Sequence, residues 1–212
     1  MKRALYVAFE GPKGSGKSTA LAAVSAEMRR RGVAHTVVGT TRPMPPWHPL
    51  ERMARLTVLR EWDRFRERLY AARANYAAQC CPEDAALVLG DRSILTSYVT
   101  RWKGHSPASR AAVVRRADRL EHQVRLPDHV LLFQAPVHVL LDRIRSRERS
   151  YGAVDETSPR LAAAMAAYTD LQSFRDELGL GAVRWHPVDA SMDREAVAAA
   201  ALSVVKRLLG GE

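Results

Sequence analysis

The sequence predicts an α/β fold, a three-layer sandwich around a five-stranded parallel sheet, and three observations predict it. Short apolar, β-rich runs recur near Ala4–Phe9, His35–Gly39, Ala86–Gly90, His129–Phe133 and Val183–His186, with helical patterns between them. Such alternation is the pattern of parallel strands joined by helices. Each run is nearly continuous rather than alternating in polarity, so both faces of the sheet are expected to be covered. Finally, the first run leads into a glycine loop and then a helical stretch, which is the order strand, loop, helix of a phosphate-binding unit.

That loop is the most specific local feature. Gly11 to Ser18 read Gly-Pro-Lys-Gly-Ser-Gly-Lys-Ser and match G-x-x-x-x-G-K-[ST] at every fixed position. In such a loop the backbone N–H groups around Gly14, Ser15 and Gly16 and the start of the following helix, Lys17 to Arg31, face phosphate oxygens. The Lys17 amine reaches the β and γ oxygens, and the Ser18 hydroxyl, next to Thr19, is placed to hold magnesium. The pattern implies a nucleoside triphosphate site.

The remaining elements follow in order. The run before Gly90 ends in Asp91-Arg92-Ser93, an acid and an arginine at the C-terminal end of a parallel strand, where open α/β sheets bind ligands. There a carboxylate can hold the water shell of magnesium and an arginine can clamp a phosphoryl oxygen; the plainer alternative is that Asp91 caps the next helix. Pro136 is expected in the first turn of a helix carrying Leu140, Leu141 and Ile144. Ser158-Pro159 reads as an N-cap followed by proline at the first helical position, with the helix ending at Gly179. In the last helix Val197, Ala201, Val204 and Leu208 share one face, a packing stripe, and Gly210-Gly211 terminate it. Arg143, Arg145, Arg147 and Arg149 occupy every second position before Tyr151–Thr157, a segment expected to be a mobile loop. Arginine forks on such a loop suit closure over a transferring group.

Composition bounds the rest. With 212 residues and 47% hydrophobic content, one domain over residues 1–212 with a lid at about 143–157 is expected. No apolar stretch approaches a membrane span and the N-terminus lacks a signal-peptide core, so a cytoplasmic protein without membrane association is expected. Cys80 and Cys81 are adjacent, lack metal spacing, and read as buried or incidental thiols. The formal charge of +10 suits a polyanion binder. However, the arginines alternate with acids along helical segments, as on solvated faces, and no nucleic-acid motif accompanies them, which disfavours nucleic acid as the main partner.

With these pieces in place the chain resembles the thymidylate kinase family of nucleoside monophosphate kinases over nearly its whole length. Phe9–Thr19 is similar to the family's F-E-G-x-x-G-x-G-K-[ST]-T, and Gly90-Asp91-Arg92 to its D-R motif. Leu69–Arg73 resembles the helix segment whose arginine contacts the acceptor base. Pro127-Asp128 and Asp142–Arg149 are similar to the P-D strand and the arginine lid, and Val188-Asp189-Ala190 to the D-A turn beside adenine. The resemblance implies a P-loop kinase core, ATP and Mg2+ as cofactors, and γ-phosphoryl transfer to the 5′-phosphate of a deoxynucleotide. It implies Lys17 and Ser18 on phosphate and magnesium, Asp91 on magnesium or its water, and Arg92 on the acceptor phosphate. It further implies Arg143 stacked on adenine with Asp189 and Ala190 nearby, and Arg147 or Arg149 as lid arginines. Family members are commonly homodimers, and Leu50–Cys80 offers a partner face.

The departures lie on the acceptor side. Lys13 stands where the family has an acid near the acceptor sugar, and Thr41-Arg42-Pro43-Met44-Pro45 replaces T-R-E-P-G. Aligned on Arg73, Leu69 replaces the base-stacking phenylalanine, while a one-residue shift puts Tyr70 there. Val99-Thr100-Arg101 replaces A-Y-Q. Asp91-Arg92-Ser93 also resembles the E-R-S segment of deoxynucleoside kinases, which phosphorylate a hydroxyl. That makes a nucleoside or specialised-metabolite kinase the alternative, with a non-catalytic ATP-binding or nucleic-acid-binding protein third. Arg42 suits an acceptor that already carries an anion.

Overall fold

A computed structural model describes residues 3–40, 63–81, 85–102, 106–146 and 156–210, the side chains of 63–66 excepted. Five parallel strands, β1 (Leu5–Glu10), β2 (His35–Val38), β3 (Leu87–Asp91), β4 (His129–Gln134) and β5 (Arg184–Asp189), pair in the order β2-β3-β1-β4-β5. Among the described residues seven helices accompany them: α1 (Lys17–Arg30), α2 (Asp63–Gln79), α3 (Ile94–Thr100), α4 (Pro107–Leu120), α5 (Val137–Arg145), α6 (Ser158–Ser173) and α7 (Arg194–Gly210). All five expected strands are present, each shifted at one or both ends by a residue or more.

Alternate residues of each strand serve opposite layers. Val7, Phe9, Leu131 and Phe133 point into a core closed by Ala20, Leu21, Val24 and Met28 of α1, Leu140 of α5 and Val197, Ala201 and Val205 of α7. Val130 and Leu132 face the other way, against Ala74, Ile94, Leu95, Tyr98, Val114, Ala117, Tyr168 and Leu171 of α2, α3, α4 and α6. Both faces are therefore dry, which is why the strands read as continuous apolar runs.

The chain moves from β1 out to β2, back to β3, then across β1 to β4. The crevice at the C-terminal ends of β1, β3 and β4 is thus where the strand order reverses and a ligand can enter. Phe9 pairs with Asp91 and Glu10 with Leu132, so the loop after β1 and the turn after β3 leave the sheet side by side.

Three helix boundaries differ from expectation. Pro136 is the N-cap of α5 rather than a residue of its first turn. Helix α6 begins at Ser158 with Thr157 as N-cap. It stops at Ser173 instead of running to Gly179, because Phe174 leaves helical geometry and lies under the Arg110 guanidinium, 3.7 Å from its ring centroid. The following turn closes at Gly179, with φ +73° and a Leu180 N–H to Arg175 carbonyl bond of 2.6 Å. Cys80 is exposed rather than buried, and Cys81 is half-buried with its thiol pushed up by desolvation. Arg30, Arg31 and Lys206 converge on Glu27, a solvated charge cluster of the kind that disfavoured a nucleic-acid face.

Candidate functional site

The phosphate loop turns back from β1 on glycines that no other residue replaces. Gly11 has φ +138° and a Cβ there would stand 2.4 Å from the Phe133 carbonyl oxygen; Gly14 has φ +86° and its Cβ would meet the Leu140 carbonyl oxygen at 2.7 Å. Gly16 caps α1 without a side chain, and no acid lies in the first helical turn. No capping side chain and no acid thus covers the start of α1, an arrangement that suits phosphate.

Lys17 is nearly buried and its Nζ donates to the Pro12 carbonyl at 2.6 Å and the Ser15 Oγ at 3.0 Å. Ser15 Oγ donates to the same carbonyl at 2.9 Å. The ammonium is thus held inside the loop it is expected to serve. Ser18 and Thr19 are exposed at the helix start. Lys13, on the loop's outer arm, pairs with Glu156 at 3.6 Å; Glu156 directly precedes Thr157, the N-cap of α6.

At the end of β3, Asp91 is a buried strand residue, and the helix cap is Ser93, whose Oγ accepts from the Leu95 N–H at 3.2 Å. The capping alternative for Asp91 is overturned. Arg92 is the one described non-glycine residue with positive φ, +74°, a strained conformation of the kind that gathers at functional sites. Its Nη1 donates to the Gly11 carbonyl at 3.3 Å and to Thr96 Oγ1 at 3.2 Å. The arginine after the third strand and the first residue of the phosphate loop are in direct contact.

Sequence reasoning missed the group that joins them. Glu10 is fully buried, and its carboxylate accepts from Ser93 N at 2.6 Å, Ser93 Oγ at 2.7 Å, Thr96 Oγ1 at 2.7 Å and Tyr168 OH at 2.7 Å. Burial, reinforced by the Glu10 charge, holds the Tyr168 phenol far above its ordinary range. The available signal was an acid ending an apolar strand one residue before the loop.

On the opposite side of the loop, Arg143 of α5 donates to the carbonyls of Ala190, Ser191 and Met192. Asp189 accepts from Ser191 N at 2.9 Å and Ser191 Oγ at 2.6 Å, and this hydroxyl is the main cause holding its carboxyl below the ordinary range. The structure therefore brings Arg143, Asp189 and Ala190 together. Toward β2, Arg73 is buried, with Nε donating to the Thr40 carbonyl at 3.3 Å and the guanidinium 4.9 Å above the ring of Tyr70. Leu69 is buried and Tyr70 exposed. Arg101 is tied to Glu67 at 2.9 Å and Glu121 at 3.3 Å, and Trp102 Nε1 to Asp170 at 2.9 Å; both hold helices together. Asp128 receives the Tyr6 N–H at 2.8 Å at the N-terminal edge of the sheet, away from the loop. Arg145 is exposed near Asp142, 3.8 Å away. Arg42, Arg147 and Arg149 lie outside the described residues.

Among the described residues no three His, Cys, Asp or Glu side chains cluster as metal ligands. The candidate donors Ser18 and Asp91 are one alcohol and one carboxylate, a hard, sparse oxygen set that fits magnesium, which keeps most of its waters. Among the described residues no helix is long and apolar enough to cross a membrane.

No family model matches the chain. It is 29% identical over 215 aligned residues to a thymidylate kinase of Levilactobacillus brevis, covering 95% of each chain. It is 27% identical over 216 to one of Thermomicrobium roseum, covering 96% of this chain and 95% of that one. A thymidylate kinase of Pseudomonas putida shares 32% identity over 205 residues, spanning 91% of this chain and 92% of its own. Similarity of that extent, on a five-stranded parallel sheet with a glycine loop after its first strand, places the chain in the thymidylate kinase family: it is a nucleotide kinase, a phosphotransferase.

Proposed function

We propose that the chain transfers the γ-phosphoryl group of Mg-ATP to the 5′-phosphate of a (deoxy)nucleoside monophosphate such as dTMP, through an acceptor pocket that departs from the family pattern. The observation that carries this reading is the contact of Arg92 with the Gly11 carbonyl. It sets a guanidinium for an acceptor phosphate against the loop that holds the donor phosphates. Relatives named thymidylate kinase over nearly the full chain support the acceptor class.

In this reading the N–H groups of Gly14 to Ser18 hold the β- and γ-phosphates. Lys17 exchanges its Pro12 carbonyl for phosphate oxygens, and Arg92 orients the acceptor phosphate in line. An acceptor phosphate oxygen forms the new bond to γ-phosphorus as the bond to the β,γ-bridging oxygen breaks, its electron pair leaving with ADP. The nucleophile is already an anion, so the chain contributes positioning and charge rather than a base. Magnesium, held by Ser18 and Asp91, would supply charge neutralisation on the β- and γ-oxygens. Arg143, anchored to the 190–192 turn, offers its planar face to adenine beside Asp189 and Ala190. Arg73, with Tyr70 or Leu69, is assigned to the acceptor base, and Lys13 and Arg42 to its sugar and phosphate. Arg147 and Arg149 are assigned to a lid at about 143–157 of a single domain spanning 1–212. A cytoplasmic homodimer meeting through Leu50–Cys80 belongs to the same proposal.

The test is chromatographic detection of dTDP and ADP in equal amounts from Mg-ATP and dTMP, beside Lys17→Ala. Stoichiometric products that vanish in the variant, with its melting temperature retained, are expected. Equal turnover in Lys17→Ala refutes the loop assignment.

A further inference from the structure

We propose that Glu10 is a positioning residue, setting the Arg92 guanidinium through the hydroxyl of Thr96 and the Arg92 backbone through Ser93; this role rests on the proposed assignment of Arg92 to the acceptor phosphate. Glu10 ends β1 and precedes Gly11, yet its side chain is fully buried and bonds to Ser93, Thr96 and Tyr168 rather than to the loop. Its two oxygens divide the work. Oε1 takes both the N–H and the hydroxyl of Ser93, at 2.6 and 2.7 Å. Ser93 follows Arg92 directly, so this pair of hydrogen bonds to one oxygen pins the turn that keeps Arg92 at φ +74°. A strained backbone of this kind persists only where its neighbours over-determine it.

Oε2 acts on the side chain. A carboxylate oxygen only accepts, so Thr96 spends its single hydroxyl hydrogen on Glu10, at 2.7 Å, and turns its lone pairs outward. Arg92 Nη1 donates into them at 3.2 Å. The chain guanidinium, hydroxyl, carboxylate therefore has a fixed donor direction, and it couples the arginine's charge to a buried counter-charge without direct contact. Such charge-assisted bonds are stronger than neutral ones. The same Nη1 reaches the Gly11 carbonyl, leaving the rest of the five-donor fork outside the contacts found among the described residues. Tyr168 OH supplies the fourth donor at 2.7 Å and lies 3.3 Å from Thr96 Oγ1. It brings α6, the helix that begins just after the proposed lid, to the same carboxylate.

The experiment compares wild type with Thr96→Val, Thr96→Ser and Glu10→Gln, each also made in an Arg92→Lys background. Thr96→Val preserves shape and leaves Glu10 three donors, so it keeps the test open if Glu10→Gln fails to fold. The first readout is side-chain 15N NMR of the Arg92 guanidinium without nucleotide, assigned by its loss in Arg92→Lys. A shifted, faster-exchanging Arg92 signal is expected in Thr96→Val and a wild-type signal in Thr96→Ser. An unchanged signal in Thr96→Val overturns the proposal. The second readout is kcat/KM for the monophosphate acceptor, expected to fall about ten- to hundred-fold in Thr96→Val, the worth of one hydrogen bond to a charged group. No further fall is expected when Arg92 is already lysine. An equal fall in both backgrounds assigns Thr96 a merely structural role and also overturns it. The NMR arm needs no acceptor, so loss of the kinase reading and loss of this one are separable.

Discussion

Reversing the charge of Lys13 tests how the phosphate loop is joined to the segment behind the proposed lid. Lys13 and Glu156 stand 3.6 Å apart, with side chains 27% and 12% exposed. A pair this accessible is worth about 1 kcal/mol, the upper end of the range for exposed ion pairs. Lys13→Glu removes that attraction and sets two carboxylates against each other at similar distance, so the total loss is about 2 kcal/mol. Glu156→Lys costs the same with two ammonium groups. For a chain of this size each single reversal lowers the melting temperature by roughly 4–8 °C. The swapped protein, Lys13→Glu with Glu156→Lys, restores an attractive pair and is expected to melt within about 2 °C of wild type. Thermal unfolding by circular dichroism at low and high salt reads this, with the single-variant losses shrinking as salt screens them. If the swap instead melts at the sum of the two single losses, the ion pair does not form in solution.

Other consequences are direct. Lys13→Glu restores the acid of the family pattern and is expected to shift the acceptor profile toward dTMP; an unchanged profile across a monophosphate panel removes Lys13 from the acceptor site. Gly14→Ala demands a left-handed alanine, at about 1–2 kcal/mol, and a Cβ 2.7 Å from the Leu140 backbone oxygen. A loss of at least about 4 °C in melting temperature and weaker ATP binding by calorimetry are expected, and retention of both contradicts the loop geometry. His129 Nδ1 and His186 Nε2 lie 3.0 Å apart on β4 and β5, and burial, with Arg184 beside both, pulls both imidazoles below their ordinary range. The unfolded chain then binds protons that the folded one resists, so stability present above the unfolded value of about 6.5 is lost as pH falls below it. His186→Gln is expected to flatten the melting curve between pH 7.5 and 5.5; an identical slope rules the pair out.

What the sequence made legible was local or periodic. The phosphate loop is eight consecutive residues, and the buried strands announce themselves because both faces are dry. Asp91 and Arg92 were readable from their place at the end of an apolar run. Glu10 was not, because its partners are Ser93, the N-cap of α3, Thr96 of α3 and Tyr168 of α6, and no spacing links them to β1. Lys13 and Glu156 meet for the same non-local reason. The early end of α6 was hidden too: no glycine or proline stands at Phe174, and the break coincides with its packing against Arg110 from α4.

The account's central claim is transfer to an acceptor that already bears a phosphate. ADP release from Mg-ATP, measured against ribo- and deoxynucleoside monophosphates, the matching nucleosides and an acceptor-free control, tests it most directly. Turnover on at least one monophosphate, with little on its nucleoside, is the predicted result. Turnover confined to unphosphorylated acceptors would contradict the account and assign Arg92 to another anion.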